Sequence, residues 1–294
     1  MVIADNQAKT THKRFASGKG GKTPTDYFLR APNAGMRAFA AVLDVVAAHP
    51  APEIEQIIRV ASDSSIMQYH WNNRGRAPAG YIKGMAVTYA RAYCKLKAGD
   101  VVAREMAKPV TGDNDRDALA WYNQKFLDAG LHNDCASDEL LRRLFVLMIG
   151  LGMRESSGRY CEGRDRSASN TNSSTAEAGL FQTSYNAKAG SPLMPQLFTQ
   201  YAGRADFLDI FKEGVKARDL DLENYGSGEG REFQRLSKVC PAFAVEFAAV
   251  GLRNIRKHWG PIKRREAEVR QECDDMLLRV QKAVDTFNLC TALV

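Results

Sequence analysis

The sequence predicts a mainly α fold with a small irregular β-hairpin region. Three features carry that expectation. Apolar residues recur at three- and four-residue steps through most of the chain, and prolines and glycines punctuate those runs at helix-length intervals. Strand-like character is concentrated in one polar segment after residue 155.

Residues 1–32 read as a flexible basic tail, with Lys9, Lys13, Arg14, Lys19 and Lys22 among Gly18, Gly20, Gly21 and Pro24, and no apolar period. From Gly35 a helix presents Met36, Phe39, Leu43 and Val46 until Pro50 and Pro52 stop it, and Ile54, Ile57, Ile58 and Ala61 begin another. The stretch from Tyr69 to Tyr81 is loop-like, and a helix follows from about Tyr81 to Lys97. Loop and short helix fill residues 98–115, and a further helix spans about Arg116 to Ala129.

The most apolar helix runs from Asp138 to about Glu155, with Ser137 as its expected N-cap and Gly158 as its stop. Apolar residues cover more than one face, which marks it as central. Residues 158–178 are rich in Ser, Thr, Asn and Gly and read as a loop or irregular hairpin. Helices are then expected over Leu193–Ala202, Ala205–Glu213, Ala242–His258 and about Arg264–Phe287. The organisation expected is a tail (1–32), an N-terminal helical region (33–130) and a catalytic domain (131–294).

Composition narrows the function classes. The hydrophobic share is 45% and the charged share 26%, enough apolar residues for a packed core. No apolar run reaches the roughly 18 residues of a membrane span; the stretch from Leu140 to Leu151 is interrupted by Arg142 and Arg143. The net charge of +7 suits polyanionic partners. The basic residues are spread along the chain, apart from the tail and the Lys263-Arg264-Arg265 cluster, so no nucleic-acid partner is expected. Gly18-Lys19-Gly20-Gly21-Lys22-Thr23 resembles a phosphate loop, but the first glycine of that motif would fall on Ala16 and no strand precedes it. The six cysteines contain no C-x-x-C pair and the five histidines no ligand spacing, so neither metal nor cofactor is expected. Disulfides and free buried thiols are equally open readings of those cysteines.

The chemistry concentrates in Gly152-Met153-Arg154-Glu155-Ser156-Ser157-Gly158-Arg159-Tyr160 and, after the polar segment, Glu177-Ala178-Gly179-Leu180-Phe181-Gln182-Thr183-Ser184. Glu155 closes an apolar helix. Burial and the negative end of the helix dipole both disfavour its ionised form, so its pKa should rise. A carboxylic acid that keeps its proton near neutrality is what glycosidic cleavage needs, to protonate a leaving sugar oxygen. At such a position an ion-paired surface glutamate beside Arg154 and Arg159 is the competing reading.

The order of these two blocks over residues of about 140–260 resembles the lysozyme-like superfamily, in particular goose-type lysozymes and soluble lytic transglycosylases. In those proteins a Glu-Ser pair ends a buried helix and a Gly-Leu-Met-Gln block follows a short β region. The resemblance implies a lysozyme-like helical catalytic domain with Glu155 as general acid, Ser156 as the neighbouring serine, and Gly179, Leu180, Phe181 and Gln182 as the second block. It implies a muramidase cutting the β-1,4 bond between N-acetylmuramic acid and N-acetylglucosamine in peptidoglycan strands.

Two departures stand out. Where lytic transglycosylases carry Ala-Tyr-Asn-Ala-Gly, this chain has Phe247-Ala248-Ala249-Val250-Gly251, leaving Tyr185, Tyr201 or Tyr225 to substitute in space. Where goose-type lysozymes place aspartates near the second block, it has Ser173 and Ser184. Inverting hydrolysis needs a second carboxylate roughly 6.5–9.5 Å from the acid; Glu177 is the first candidate and Asp165 the second. Gln182 would bind a sugar or fix its loop, and Tyr160, Tyr185 and Asn186 are candidate cleft residues, since sugars pack on aromatic faces and bond to amides. Trp71, Arg74 and Tyr81 fit either wall binding or helix docking. Action in the periplasm or cell wall is expected, by a route without an evident signal peptide, as for an injected antibacterial toxin with an immunity protein or a phage-related lysin. A catalytically inactive peptidoglycan-binding protein of the same fold is the alternative.

Overall fold

The computed structural model describes residues 51–166 and 172–294. The expected tail and the helix from Gly35 lie outside the described residues. Six longer helices build the packed unit: α1 (Pro52–Ser62), α2 (Ala79–Lys97), α3 (Ser137–Ser156), α4 (Gly228–Val239), α5 (Pro241–Asn254) and α6 (Gln271–Thr286). Short helices at Val101–Met106, Ala118–Trp121, Asn123–Asp128, Leu193–Gln200 and Leu208–Lys212 connect and cover them. Among the described residues no helix is long and apolar enough to cross a membrane.

Local signals explain where the elements begin and end. Pro52 opens α1 with Glu53 and Glu55 in its first turn and Arg59 in its last, an arrangement that complements the helix dipole. In α6, Glu272 and Asp274 occupy the first turn, while Cys273, Met276, Leu277, Val280 and Val284 form the buried stripe. The expected helix over residues 116–129 is two short ones that meet at Tyr122.

Helix α3 is the centre. Every residue from Leu140 to Met153 is buried. Its two arginines are buried with it, because Asp274 of α6 accepts from Arg142 Nε at 2.9 Å and pairs with Arg143 as well. Gly150 and Gly152 let other backbone and side chains approach closely. A Cβ on Gly152 would stand 2.3 Å from the Tyr81 hydroxyl, which donates to the Ile149 carbonyl at 2.8 Å. Ser137 is the first helical residue rather than the cap; Ala136 holds that place and offers no side-chain acceptor. At the other end Ser157 adopts φ 54° and Gly158 φ 74°, and the Gly158 N–H returns to the Gly152 carbonyl.

The expected boundary at residue 130 does not separate two cores. Helix α2 packs against α1, α3 and α6, and the described residues form one unit. A buried ion cluster ties α2 to α5, where Glu246, fully buried, receives Lys95 Nζ at 2.7 Å with Arg91 at 3.7 Å. A disulfide between Cys94 and Cys290 fastens the C-terminal turn onto α2, and Cys135, Cys161, Cys240 and Cys273 are free thiols.

The strand expectation is corrected. Among the described residues the paired strands are His70–Trp71 and Gly75–Arg76, a two-stranded antiparallel hairpin ahead of α2. Among its described residues, the segment after Glu155 contributes a single isolated bridge, Ala178 to Thr183. The hairpin turns on Asn73 at φ 58° and Gly75 at φ 71°, conformations that Asn and Gly tolerate.

Candidate functional site

Glu155 sits in the last turn of α3, half-buried, on the wall of a cavity of about 450 Å³. Glu177, Asp165 and Gln182 line the same cavity. Glu155 and Glu177, 22 positions apart in the chain, are therefore brought together with their two sequence blocks, and named bonds hold them. Ser156 Oγ reaches the Gly152 carbonyl at 3.0 Å and the Leu180 carbonyl at 2.8 Å, joining the helix end to the second block. Trp259 Nε1, fully buried, donates to the Phe181 carbonyl at 3.0 Å. The Gly179 N–H donates to the Glu162 carbonyl at 2.8 Å. Gly179 has φ 73°, and a Cβ there would lie 2.7 Å from the Ser237 carbonyl oxygen, so the turn requires glycine.

The electrostatics set Glu155 apart. Burial is the main cause that pushes its pKa up to about 8, and the Glu177 carboxylate adds to the rise. Arg264 and Arg74 oppose it from outside the cavity lining. The Glu177 carboxyl is also raised, by burial first and by Asp165 second. Three acids are thus linked in sequence, Asp165 raising Glu177 and Glu177 raising Glu155. The flanking arginine expected to pair with Glu155 has another partner, since Arg154 bonds to Glu266 at 3.2 Å. The other, Arg159, bonds to Glu162 at 2.8 Å and to Asp221.

Not every expected residue reaches the cavity. Gln182 lines it, but its amide is used to fix the loop, donating to the Gly179 carbonyl at 3.1 Å and the Glu162 carbonyl at 3.4 Å. Tyr160, Tyr185 and Asn186 are not among the lining residues. Tyr160 is buried. Tyr185 packs its ring in an aromatic cluster with Phe198 and Phe233, and its hydroxyl donates to Glu229 at 2.5 Å. Asn186 is exposed and accepts from Ser184 Oγ at 2.7 Å. Trp71 and Tyr81 are buried, so docking accounts for them, whereas Arg74 is exposed near Glu155.

The α5 segment from Phe247 to Gly251 supplies packing and no polar group. Phe247 meets the Phe233 ring at 4.9 Å, and Gly251 admits the Trp259 ring. Of the three alternative tyrosines, the Tyr201 hydroxyl is taken by Arg91 and Tyr185 by Glu229. Only Tyr225 adjoins the cavity, beneath the guanidinium of the lining residue Arg164. His258 is a packed residue set edge-on to Trp259, and burial pushes its pKa down to about 4.

Sequence reasoning missed the facing wall. Arg164, Arg166, Arg218, Leu220 and Asp221 line the cavity opposite no recognisable motif. Helix α4, also not foreseen, supports that wall from behind. Lys238 Nζ is buried and donates to the Asp221 carbonyl at 2.9 Å and to the Glu223 carbonyl, and burial lowers its pKa to about 8. The density of arginine at 159, 164 and 166 was the available signal. Among the described residues no group of three or more His, Cys, Asp or Glu is arranged to hold a metal ion.

Comparison of the chain with family models, with curated proteins and with solved structures gave no match.

Proposed function

We propose that the protein is a peptidoglycan-cleaving muramidase in which Glu155 is the general acid. The observation that carries this reading is a carboxyl group at the end of a buried helix, open to a cavity and holding its proton to about pH 8. Such a group donates a proton to a departing glycosidic oxygen at neutral pH, where an ordinary glutamate has none to give. Glu177 shares the cavity and supplies the second carboxylate, which activates water or steadies positive charge on the sugar ring. Asp165 also lines the cavity, raises the Glu177 pKa and is the second candidate for that role. The presence of Glu177 and the lack of a tyrosine–asparagine pair on α5 favour hydrolysis over an anhydro-forming reaction.

The setting follows from the substrate and the Cys94–Cys290 disulfide, which suits an oxidising compartment. The wall-facing side of a bacterial membrane meets both conditions, with delivery as an antibacterial toxin checked by an immunity protein or as a phage-related lysin. A second reading, a non-catalytic peptidoglycan-binding protein, is favoured by the purely apolar α5 segment. Zymography on purified sacculi separates the two. Clearing by the wild type and none by Glu155→Gln, with equal sedimentation on sacculi, supports the enzyme. Sedimentation without clearing by either protein supports the binder.

A further inference from the structure

We infer that Arg164 recognises a carboxylate on the glycan and so gives the site its preference for acidic strands over neutral ones. This inference rests on the muramidase reading for its substrate class. Three guanidiniums line the Glu155 cavity, and two of them are already engaged. Arg218 is held by Asp221 at 2.7 Å and lies 3.6 Å from Glu162, and Arg166 is held by Glu223. Arg164 differs. Among the described residues it makes no ion pair. Its guanidinium carbon lies 4.1 Å from the centroid of the Tyr225 ring, and its Nε is buried without a hydrogen-bond partner.

The platform beneath Arg164 is built in advance. Gln234, almost fully buried on α4, accepts from the Tyr225 N–H at 2.8 Å and donates to the Tyr225 carbonyl at 3.1 Å. A guanidinium whose plane is set by an aromatic ring loses little freedom on binding, and its remaining N–H groups match the two oxygens of a carboxylate. Every second sugar of a peptidoglycan strand bears a lactyl group, which ends in a free carboxylate or continues into a peptide with carboxylates of its own. A polymer of N-acetylglucosamine alone has none. The shared chemistry is the carboxylate, and the two sources differ in whether the peptide is present.

The test uses the full chain silenced by Glu155→Gln and titrates three probes by calorimetry: a peptide-bearing muropeptide oligomer, the same glycan stripped of peptide, and chitohexaose. Charge-assisted hydrogen bonds of this kind are worth about 10- to 100-fold in affinity. Carboxylate-bearing glycan should bind tighter than chitohexaose by that factor, and added Arg164→Gln should abolish the difference. Arg164→Lys should restore part of it, and Lys282→Gln, an exposed cation on α6 outside the cavity lining, should leave it intact. Loss confined to the peptide-bearing probe assigns the carboxylate to the peptide; loss on both acidic probes assigns it to the lactyl group. Equal weakening of all three probes by Arg164→Gln, or no weakening, overturns the inference. Selective loss in a protein whose wild type releases no muropeptide would leave the inference standing while the muramidase reading falls.

Discussion

Replacing Glu155 by glutamine should make the protein more stable, and by an amount that grows with pH. The native carboxyl titrates at about 8 against an ordinary value of 4.5. Between those values the unfolded chain has released the proton and the native chain has not, so the native state binds more protons and its stability falls as pH rises. At pH 4 the group is neutral in both states, and glutamine should change little. At pH 7 the wild type carries a penalty that approaches about 3 kcal/mol, from roughly 1.4 kcal/mol for each unit of pH above 4.5. Water at the cavity mouth reduces this to about 2–3 kcal/mol. At roughly 2–4 °C per kcal/mol for a domain of this size, Glu155→Gln should melt about 5–10 °C higher at pH 7 and within about 2 °C of wild type at pH 4. Differential scanning calorimetry of both proteins across that range reads the effect. A melting difference independent of pH, or a variant less stable than wild type at pH 7, refutes the claim that Glu155 is held protonated by its surroundings.

The same shifts set the activity profile: kcat/KM should fall above about pH 8 as Glu155 loses its proton and fall on the acid side as the second carboxylate gains one, and a rate still climbing beyond pH 9 would contradict the assignment. Lys95→Met leaves the fully buried Glu246 with Arg91 alone, at 3.7 Å, and should cost about 3 kcal/mol in urea unfolding, while Lys95→Met with Glu246→Met should recover part of it; equal stability of the single variant and wild type would show that the cluster is not an interacting unit. Reduction of the Cys94–Cys290 disulfide, which closes a loop of 196 residues, should lower stability by about 2–5 kcal/mol, and a Cys94→Ala variant should show the lower stability with no response to reductant.

Much of the scaffold could be read from pattern alone. The apolar run before Glu155 identified the central helix, and Gly158 its end, because a helix buried on all sides leaves few polar positions and its exit needs a left-handed residue. Pairing Glu155 with the Gly179–Gln182 turn rested on the resemblance carried by the order and spacing of the two blocks, since neither block alone points to the other. The facing wall was not. Arg164 and Arg218 are 54 positions apart and meet only because the buried Lys238 and Gln234 grip the backbone of residues 221–225. Helix α4 itself reads as polar, Gly-Glu-Gly-Arg-Glu-Phe-Gln-Arg, and its buried face uses Gln234 and Lys238 beside Phe233 and Leu236. A buried polar residue satisfied by a distant carbonyl leaves no trace in periodicity. The aromatic candidates failed for the converse reason: Tyr160 and Tyr185 have the composition of a sugar platform, but their rings complete the core.

The proposed role of Glu155 as proton donor is tested most directly by mass spectrometry of muropeptides released from purified sacculi. Wild type should liberate fragments ending in reducing muramyl sugars at a rate at least about a hundredfold above Glu155→Gln. Release by Glu155→Gln at a rate near that of wild type would contradict it.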